Sequence, residues 1–277
     1  MAAEAAETVI HPDNYRFLQQ QVYEDTGIVL DHDKHYLIEA RLMPLARSAG
    51  LASVNELCVL IRASRESPLR RQVAEAMTTN ETYFFREPAQ YEALKNFVIP
   101  QLVKLRETSR KLSFWSAAAS TGQEAYSLAM MLLEMGLGGW NIEILGTDLC
   151  THVLERAPTG RYQQVEVNRG LPVSLLLKYF EREGLDWRLK NDVRRMVRFE
   201  QFDLRSSMSK LGPFDVVFCR NVLIYFDAAT RHKVLQEIHG TLFRGGYLLL
   251  GASENIGLAV NKFERRCLGE ATLYEAV

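Results

Sequence analysis

The stretch LSFWSAAASTGQEAYSLAMMLLEMG, Leu112 to Gly136, opens as a short apolar run, passes through small residues and continues with helical periodicity. An apolar run of that length bounded by a turn reads as a buried strand, and the segment from Ser120 onward reads as an amphipathic helix. This strand–turn–helix unit then recurs along the chain. NIEILGTD (141–148) is a second strand ending in Asp148, and THVLERAPTGRY (151–162) is a helix. MVRFEQFDL (196–204) and FDVVFCRN (214–221) are further strands, ATRHKVLQEIHGTL (229–242) a helix and GGYLLLGAS (245–253) a fifth strand. FERRCLGEATLYEA (263–276) closes as a hairpin around Gly269. Strands alternating with helices imply right-handed crossovers and a parallel sheet covered on both faces.

Upstream, no strand pattern interrupts the first 75 or so residues. Asp13 is placed to cap a helix over Tyr15–Thr26 with a stripe of Tyr15, Leu18, Val22 and Tyr23, stopped by Gly27. Asp31 or Asp33 is placed to cap a second helix through Tyr36, Leu37, Ala40, Leu42 and Leu45. Ser53 opens a third, and Pro68 stands near the start of a fourth. The organisation read from these patterns is a helical domain over 1–76, a linker over 77–90 and an α/β domain over 91–277. Within the last, about 160–200 forms a small inserted β-unit in which Trp187 and Leu189 alternate with charged residues.

A net charge of −1 gives no general reason to bind nucleic acid, so any basic site is local. The four cysteines are scattered, without a CxxC pair, which points to reduced thiols and neither a disulfide framework nor a metal site. The acidic start lacks the features of a signal peptide, and no apolar run approaches the roughly 20 residues that span a bilayer. A cytoplasmic monomer is expected.

Ligands of an open parallel sheet bind beyond the carboxyl ends of its strands. AAASTGQEAYS (117–127) lets backbone approach a ligand there, but it is neither G-x-G-x-x-G nor a P-loop. Asp148 suits a ribose diol or, equally, the N-cap of the following helix. Asp203 and Leu204 suit an adenine edge and face, or a plain turn. CRNVLIYFD (219–227) carries Arg220, Asn221 and Tyr225 among apolar neighbours, polar groups that need partners if buried. TTNETYFFREP (78–88) sets hydrogen-bonding groups beside three aromatics and Arg86. Phe84 and Phe85 read better as core anchors than as walls of a site.

TTNETYFFREP, FWSAAASTGQEAYS, ILGTD, FCRNVLIYFD and GASEN together resemble the chemotaxis receptor methyltransferases, the CheR family, in order over nearly the whole chain. The resemblance implies a Rossmann-like S-adenosylmethionine-dependent methyltransferase domain with a small antiparallel β-subdomain and a terminal antiparallel hairpin, behind an all-helical domain. It implies S-adenosylmethionine as donor, S-adenosylhomocysteine as product, and glutamates on chemoreceptor cytoplasmic signalling helices as acceptors. Motif by motif, it assigns Asn80, Thr82, Arg86, Glu124, Asp148, Asp203, Leu204, Asn221 and Val222 to the cofactor. Arg220 and Tyr225 are candidates for orienting the acceptor carboxylate, with a supporting structural role as the other reading. Lys34, Arg41 and Arg47 on the second helix are candidates for docking acidic receptor helices, although Pro44 replaces an arginine that some relatives carry and is expected to kink the helix. The loop from Gly184 to Trp187 is shorter than in relatives that capture a C-terminal receptor peptide, so no such capture is expected. A methyltransferase for another substrate and a catalytically silent cofactor-binding scaffold are the competing readings.

Overall fold

The computed structural model describes residues 10–64, 67–259 and 261–277; most of the acidic start lies outside them. The chain divides into two compact units, one of residues 1–79 with 225–227, the other of 80–224 with 228–277.

The helical unit comprises α1 (Pro12–Thr26), α2 (His35–Ser48), α3 (Val54–Ala63) and α4 (Pro68–Met77). Its core gathers Tyr15, Leu18 and Val22 of α1, Ile38 and Leu42 of α2, Leu57 and Ile61 of α3, and Val73 and Met77 of α4. Gly27 ends α1 in the left-handed conformation, which costs a glycine little. Two cap expectations are corrected. Pro12 takes the first turn of α1, so Asp13 falls inside the helix, where it pairs with Arg16. Lys34, not Asp31 or Asp33, is the N-cap residue of α2. Tyr23 points outward at 43% exposure and donates to Asp227 instead of joining the buried stripe. Helix α2 continues through Pro44 to Ser48.

The α/β unit begins with α5 (Pro88–Ala93), which runs through a π-helical turn at Leu94–Val98 into α6 (Ile99–Leu105). There follow β1 (Lys111–Ala117), α7 (Gln123–Glu134), β2 (Asn141–Asp148), α8 (Thr151–Arg156), β3 (Arg161–Gln163), α9 (Gln164–Val167) and α10 (Val173–Tyr179). Next come β4 (Phe180–Glu183), β5 (Asp186–Leu189), α11 (Asn191–Arg194), β6 (Val197–Gln201) and β7 (Phe214–Cys219). The chain closes with α12 (Ala228–Gly240), β8 (Leu242–Leu250), β9 (Phe263–Leu268) and β10 (Ala271–Ala276). The main sheet has seven strands in the order β6-β2-β1-β7-β8-β10-β9. The first five are mutually parallel and the β9–β10 hairpin is antiparallel.

Burial follows strand position. Every residue of central β7 is buried, whereas edge strands β6 and β9 present Arg198, Glu200, Glu264 and Arg265 to solvent, which discourages edge-to-edge pairing. Asp215 is a charge inside the sheet, compensated by Arg106 at 3.0 Å and by the Ser113 N–H and hydroxyl. A second, three-stranded antiparallel sheet has the order β3-β5-β4. The helix expected to run to Tyr162 therefore ends early: Gly160 turns left-handed and the chain enters β3.

Arg41 is committed within the helical unit. Its guanidinium donates to the carbonyls of Met77 and Thr78, at 2.6 and 3.1 Å, and to the Thr79 hydroxyl at 2.8 Å. A cation on the last carbonyls of α4 opposes the negative end of that helix. Arg47 is exposed. Arg41→Ala is expected to destabilise the helical unit by about 1–2 kcal/mol, and Arg47→Ala by less than about 0.5 kcal/mol, in urea unfolding. Equal effects would contradict the clamp.

Candidate active site

Backbone conformation locates the site. Among the described residues six non-glycine positions take a positive φ, and Phe85, Glu87, Ala118, Ser120 and Asn221 are five of them. These five lie on the loops after β1 and β7 and on the segment that precedes α5. Such backbone persists only where the surroundings over-determine it, and it concentrates at functional sites.

The segment from Asn80 to Glu87 is fastened to the loop after β1 and to α7. Ser120 donates its hydroxyl to the Asn80 carbonyl at 2.8 Å, and the Phe85 N–H donates to the Ser127 hydroxyl at 3.0 Å. Phe84 is fully buried, edge-on to Tyr162 and Phe180, so the aromatic run does anchor the segment in the core. Gly170 is required by close approach, because a Cβ there would stand 2.0 Å from the Phe84 carbonyl oxygen.

Arg220, at the end of β7, joins this segment to α7. Its side chain is 1% exposed and pairs with Glu124 at 3.0 Å and Glu87 at 3.3 Å. It also donates to the Arg86 carbonyl at 2.5 Å. Burial alone works to lower the Arg220 pKa, but the carboxylates raise it on balance and the guanidinium stays charged. Burial pushes the Glu124 carboxyl above its usual range, opposed by Arg220 and by the Ser116 hydroxyl, which donates to it at 2.6 Å. The terminal nitrogens of Arg220, a candidate from sequence for orienting the acceptor, are thus engaged by internal partners and hold the Arg86–Glu87 segment to the end of β7. Tyr225, the other candidate, is placed elsewhere. It belongs to the helical unit, where it packs against that unit's core and its carbonyl accepts from the Val29 N–H at 2.9 Å.

Of the remaining residues assigned to the cofactor, Asp148, Asp203, Leu204, Asn221 and Val222 fall at strand ends, whereas Asn80, Thr82 and Arg86 lie on the segment before α5. Asp148 is the last residue of β2, and its carboxylate accepts from the N–H groups of Ser120 and Cys150, each at 2.9 Å. The N-cap position of α8 is Cys150, so Asp148 bridges two loops where an N-cap was the other reading. Asp203, just past β6, is held by Arg205 at 2.7 Å and accepts the Arg205 N–H in a tight turn, with Leu204 buried beside it. Asn221 and Val222 follow β7, and both their N–H groups donate to Glu254, at 2.7 and 3.0 Å. Arg86 and Thr82 are half-buried. The Arg86 guanidinium lies 5.6 Å from the Tyr83 ring centroid and donates to the Glu81 carbonyl. Glu87 and Glu254 were not singled out from sequence, and both line a cleft of about 400 Å³ beside the end of β8 with Gln90, Arg265 and Glu270. Among the described residues no group of three or more His, Cys, Asp or Glu side chains is arranged to hold a metal ion, and no helix is long and apolar enough to cross a membrane.

Together, a half-buried guanidinium on the segment before α5, a carboxylate on the end of β2, and apolar Leu204 and Val222 past the ends of β6 and β7 are chemically compatible with a donor that carries an amino-acid group and an adenosine. The fold and these loops define a nucleoside-cofactor enzyme of the doubly wound type. Residues 80–270 match the family model "CheR methyltransferase, SAM binding domain", and residues 13–78 match "CheR methyltransferase, all-alpha domain". The chain is 40% identical over 271 residues to the chemotaxis protein methyltransferase Cher2 of Pseudomonas putida, covering 95% of this chain and 98% of that protein. It is 41% identical over 256 residues to chemotaxis protein methyltransferase 1 of Pseudomonas aeruginosa, covering 90% and 93%. The chemotaxis protein methyltransferase of Vibrio parahaemolyticus is 40% identical over 263 residues, with 92% of each chain covered. The chain belongs to the CheR methyltransferase family. Its α/β unit is the domain that binds S-adenosylmethionine.

Removing the buried cation leaves Glu87 and Glu124 without their charge partner. Arg220→Met is expected to cost about 3–5 kcal/mol in urea unfolding, and Arg220→Lys to recover only part, since an ammonium cannot reproduce the planar fork. Wild-type stability in Arg220→Met would contradict the positioning role.

Proposed function

We propose that the protein methylates glutamate side chains on the cytoplasmic signalling helices of chemoreceptors, giving glutamyl methyl esters and S-adenosylhomocysteine. The single observation that carries this reading is the family match over both units, helical and α/β, together with relatives whose names place them in chemotaxis. A relative that shared only the α/β fold would leave the acceptor open.

When bound, S-adenosylmethionine supplies an electrophilic methyl group on a sulfonium. The acceptor is a carboxylate with an ordinary pKa of about 4.3, so it is already ionised near neutral pH and no general base is called for. With that donor bound, an acceptor oxygen would form a bond to the methyl carbon as the carbon–sulfur bond broke, the electron pair of that bond staying on sulfur. The positive charge is neutralised and no proton is released. The protein's part is alignment and exclusion of water. In this reading Arg86 grips the donor's carboxylate, Asp148 accepts from the ribose hydroxyls, Asn80 and Thr82 flank the amino-acid end, and Leu204, Asn221 and Val222 border the adenosine. Glu124 supports the site through Arg220.

The helical unit is proposed to dock the receptor, with exposed Arg47 as the basic contact and Lys34 near the start of the same helix. Arg41, already clamped to the end of α4, serves docking through structure. The small sheet is proposed not to capture a C-terminal receptor peptide. Its β4–β5 connection is a two-residue turn, Gly184–Leu185, between the paired Glu183 and Asp186, with Gly184 at φ 64°.

Tritiated S-adenosylmethionine incubated with receptor cytoplasmic fragments is expected to label them with base-labile methyl groups, and glutamine at the acceptor positions is expected to abolish the label. Base-stable label, or none on any receptor, would overturn the reading. Arg86→Ala is expected to weaken S-adenosylmethionine binding by about 2–3 kcal/mol by calorimetry, the loss of a charge-assisted pair. Arg47→Glu is expected to lower receptor methylation several-fold at unchanged cofactor affinity, whereas receptor C-terminal peptides are expected to show no micromolar binding. Normal methylation by Arg47→Glu would move docking elsewhere, and micromolar peptide binding would sink the peptide-independent reading.

A further inference from the structure

The strand pairs of β7 end at Cys219, and the first residue after Arg220 is held left-handed, Asn221 at φ 57°. One side chain satisfies almost the whole turn. The Glu254 carboxylate, from the loop after β8, accepts the N–H of Asn221 and of Gly251 at 2.7 Å each, of Val222 at 3.0 Å and of Ile224 at 3.2 Å. Four converging N–H dipoles make a concave site for negative charge, and here the occupant is built into the chain. Gly251 completes the fit: a Cβ there would stand 2.5 Å from Asn221 Nδ2 and 2.8 Å from Glu254 Oε2. On the far side the Asn221 amide reaches toward Glu87 Oε1 at 3.5 Å, and the same oxygen accepts the Ala252 N–H at 3.2 Å. The loop's conformation is thus imposed by two acidic side chains from other segments.

We propose that Glu254 is a positioning residue for methyl transfer: by binding the N–H groups of Asn221, Val222 and Ile224 it holds the loop in the form that receives the cofactor. This inference rests on the reading that Asn221 and Val222 border the cofactor. Glutamine at 254 is nearly isosteric but offers one acceptor oxygen in place of two and turns an NH₂ group toward N–H donors. The turn loses its template while the strands on either side keep their ladder.

The test measures S-adenosylhomocysteine affinity by calorimetry and amide hydrogen exchange in Glu254→Gln, Gly251→Ala, Asn221→Ala and a stability-matched core variant, Leu273→Ala. Glu254→Gln is expected to bind at least tenfold more weakly, with exchange rising over 221–224 and unchanged over 216–218. Gly251→Ala, which keeps the carboxylate but displaces the Asn221 side chain, is expected to weaken binding in the same direction. Leu273→Ala is expected to bind normally despite its lower melting temperature. If Glu254→Gln binds within twofold of the wild type, or loses no more affinity than Leu273→Ala, the proposal is overturned. Should Glu254→Gln fail to fold, normal affinity in Gly251→Ala overturns it instead. Normal affinity in Asn221→Ala would refute the underlying cofactor reading, a result distinguishable from failure of Glu254→Gln alone.

Discussion

A guanidinium at the end of a central strand, with almost no contact with water, is costly unless it is paired. Arg220 pairs its two terminal nitrogens with Glu124 from α7, Glu87 from the segment before α5 and the Arg86 carbonyl, while its buried Nε is left without a hydrogen-bond partner among the described residues. Those partners come from two places, far apart in sequence from each other and from Arg220, so the cation can be paired only when strand, helix and linker have arrived together. What reaches the site as a consequence is Arg86, whose backbone is fixed from below while its own side chain stays half-buried. The buried charge holds the segment in place, and in the proposed reading the half-buried guanidinium of Arg86 meets the ligand.

The same economy of acidic side chains organises the other loops. Asp148 ties the turn after β1 to the start of α8, and Glu254 ties the turn after β7 to the turn after β8. Left-handed Ser120 and Asn221 each present an N–H to one of these carboxylates, which explains how such backbone is tolerated without glycine. Carboxylate-to-amide bonds are directional and charge-assisted, and they fix the backbone of these loops. Rigid loops on a buried sheet suit a reaction whose only demand is alignment of two centres.

Much of this was legible in sequence because the relevant signals are local. The strand–turn–helix pattern around Leu112–Gly136 gave the α/β class, and the strand NIEILGTD ends at Asp148 where the pattern put it. Phe84 and Phe85 read correctly as anchors because three adjacent aromatics rarely remain in water. The misses have a common cause. Glu87 and Glu254 act on N–H groups at other loops, about 30 residues away in the case of Glu254 and Asn221, and backbone amides leave no trace in a sequence. The burial of Arg220 depends on two carboxylates whose approach only the fold decides. Asp13 and Lys34 moved by a residue or two relative to their helices, since Pro12 and the turn at Asp31 compete with ordinary capping.

The central claim is that one ligand-binding surface is assembled from the linker and from four strand ends. Hydrogen–deuterium exchange with and without saturating S-adenosylhomocysteine tests it directly. The account predicts that 80–87, 118–122, 148–150, 203–204 and 221–224 gain protection together, while the small sheet at 161–163 and 180–189 is unchanged. Protection confined to the small sheet, or absent from the linker and the β7 loop, would contradict it.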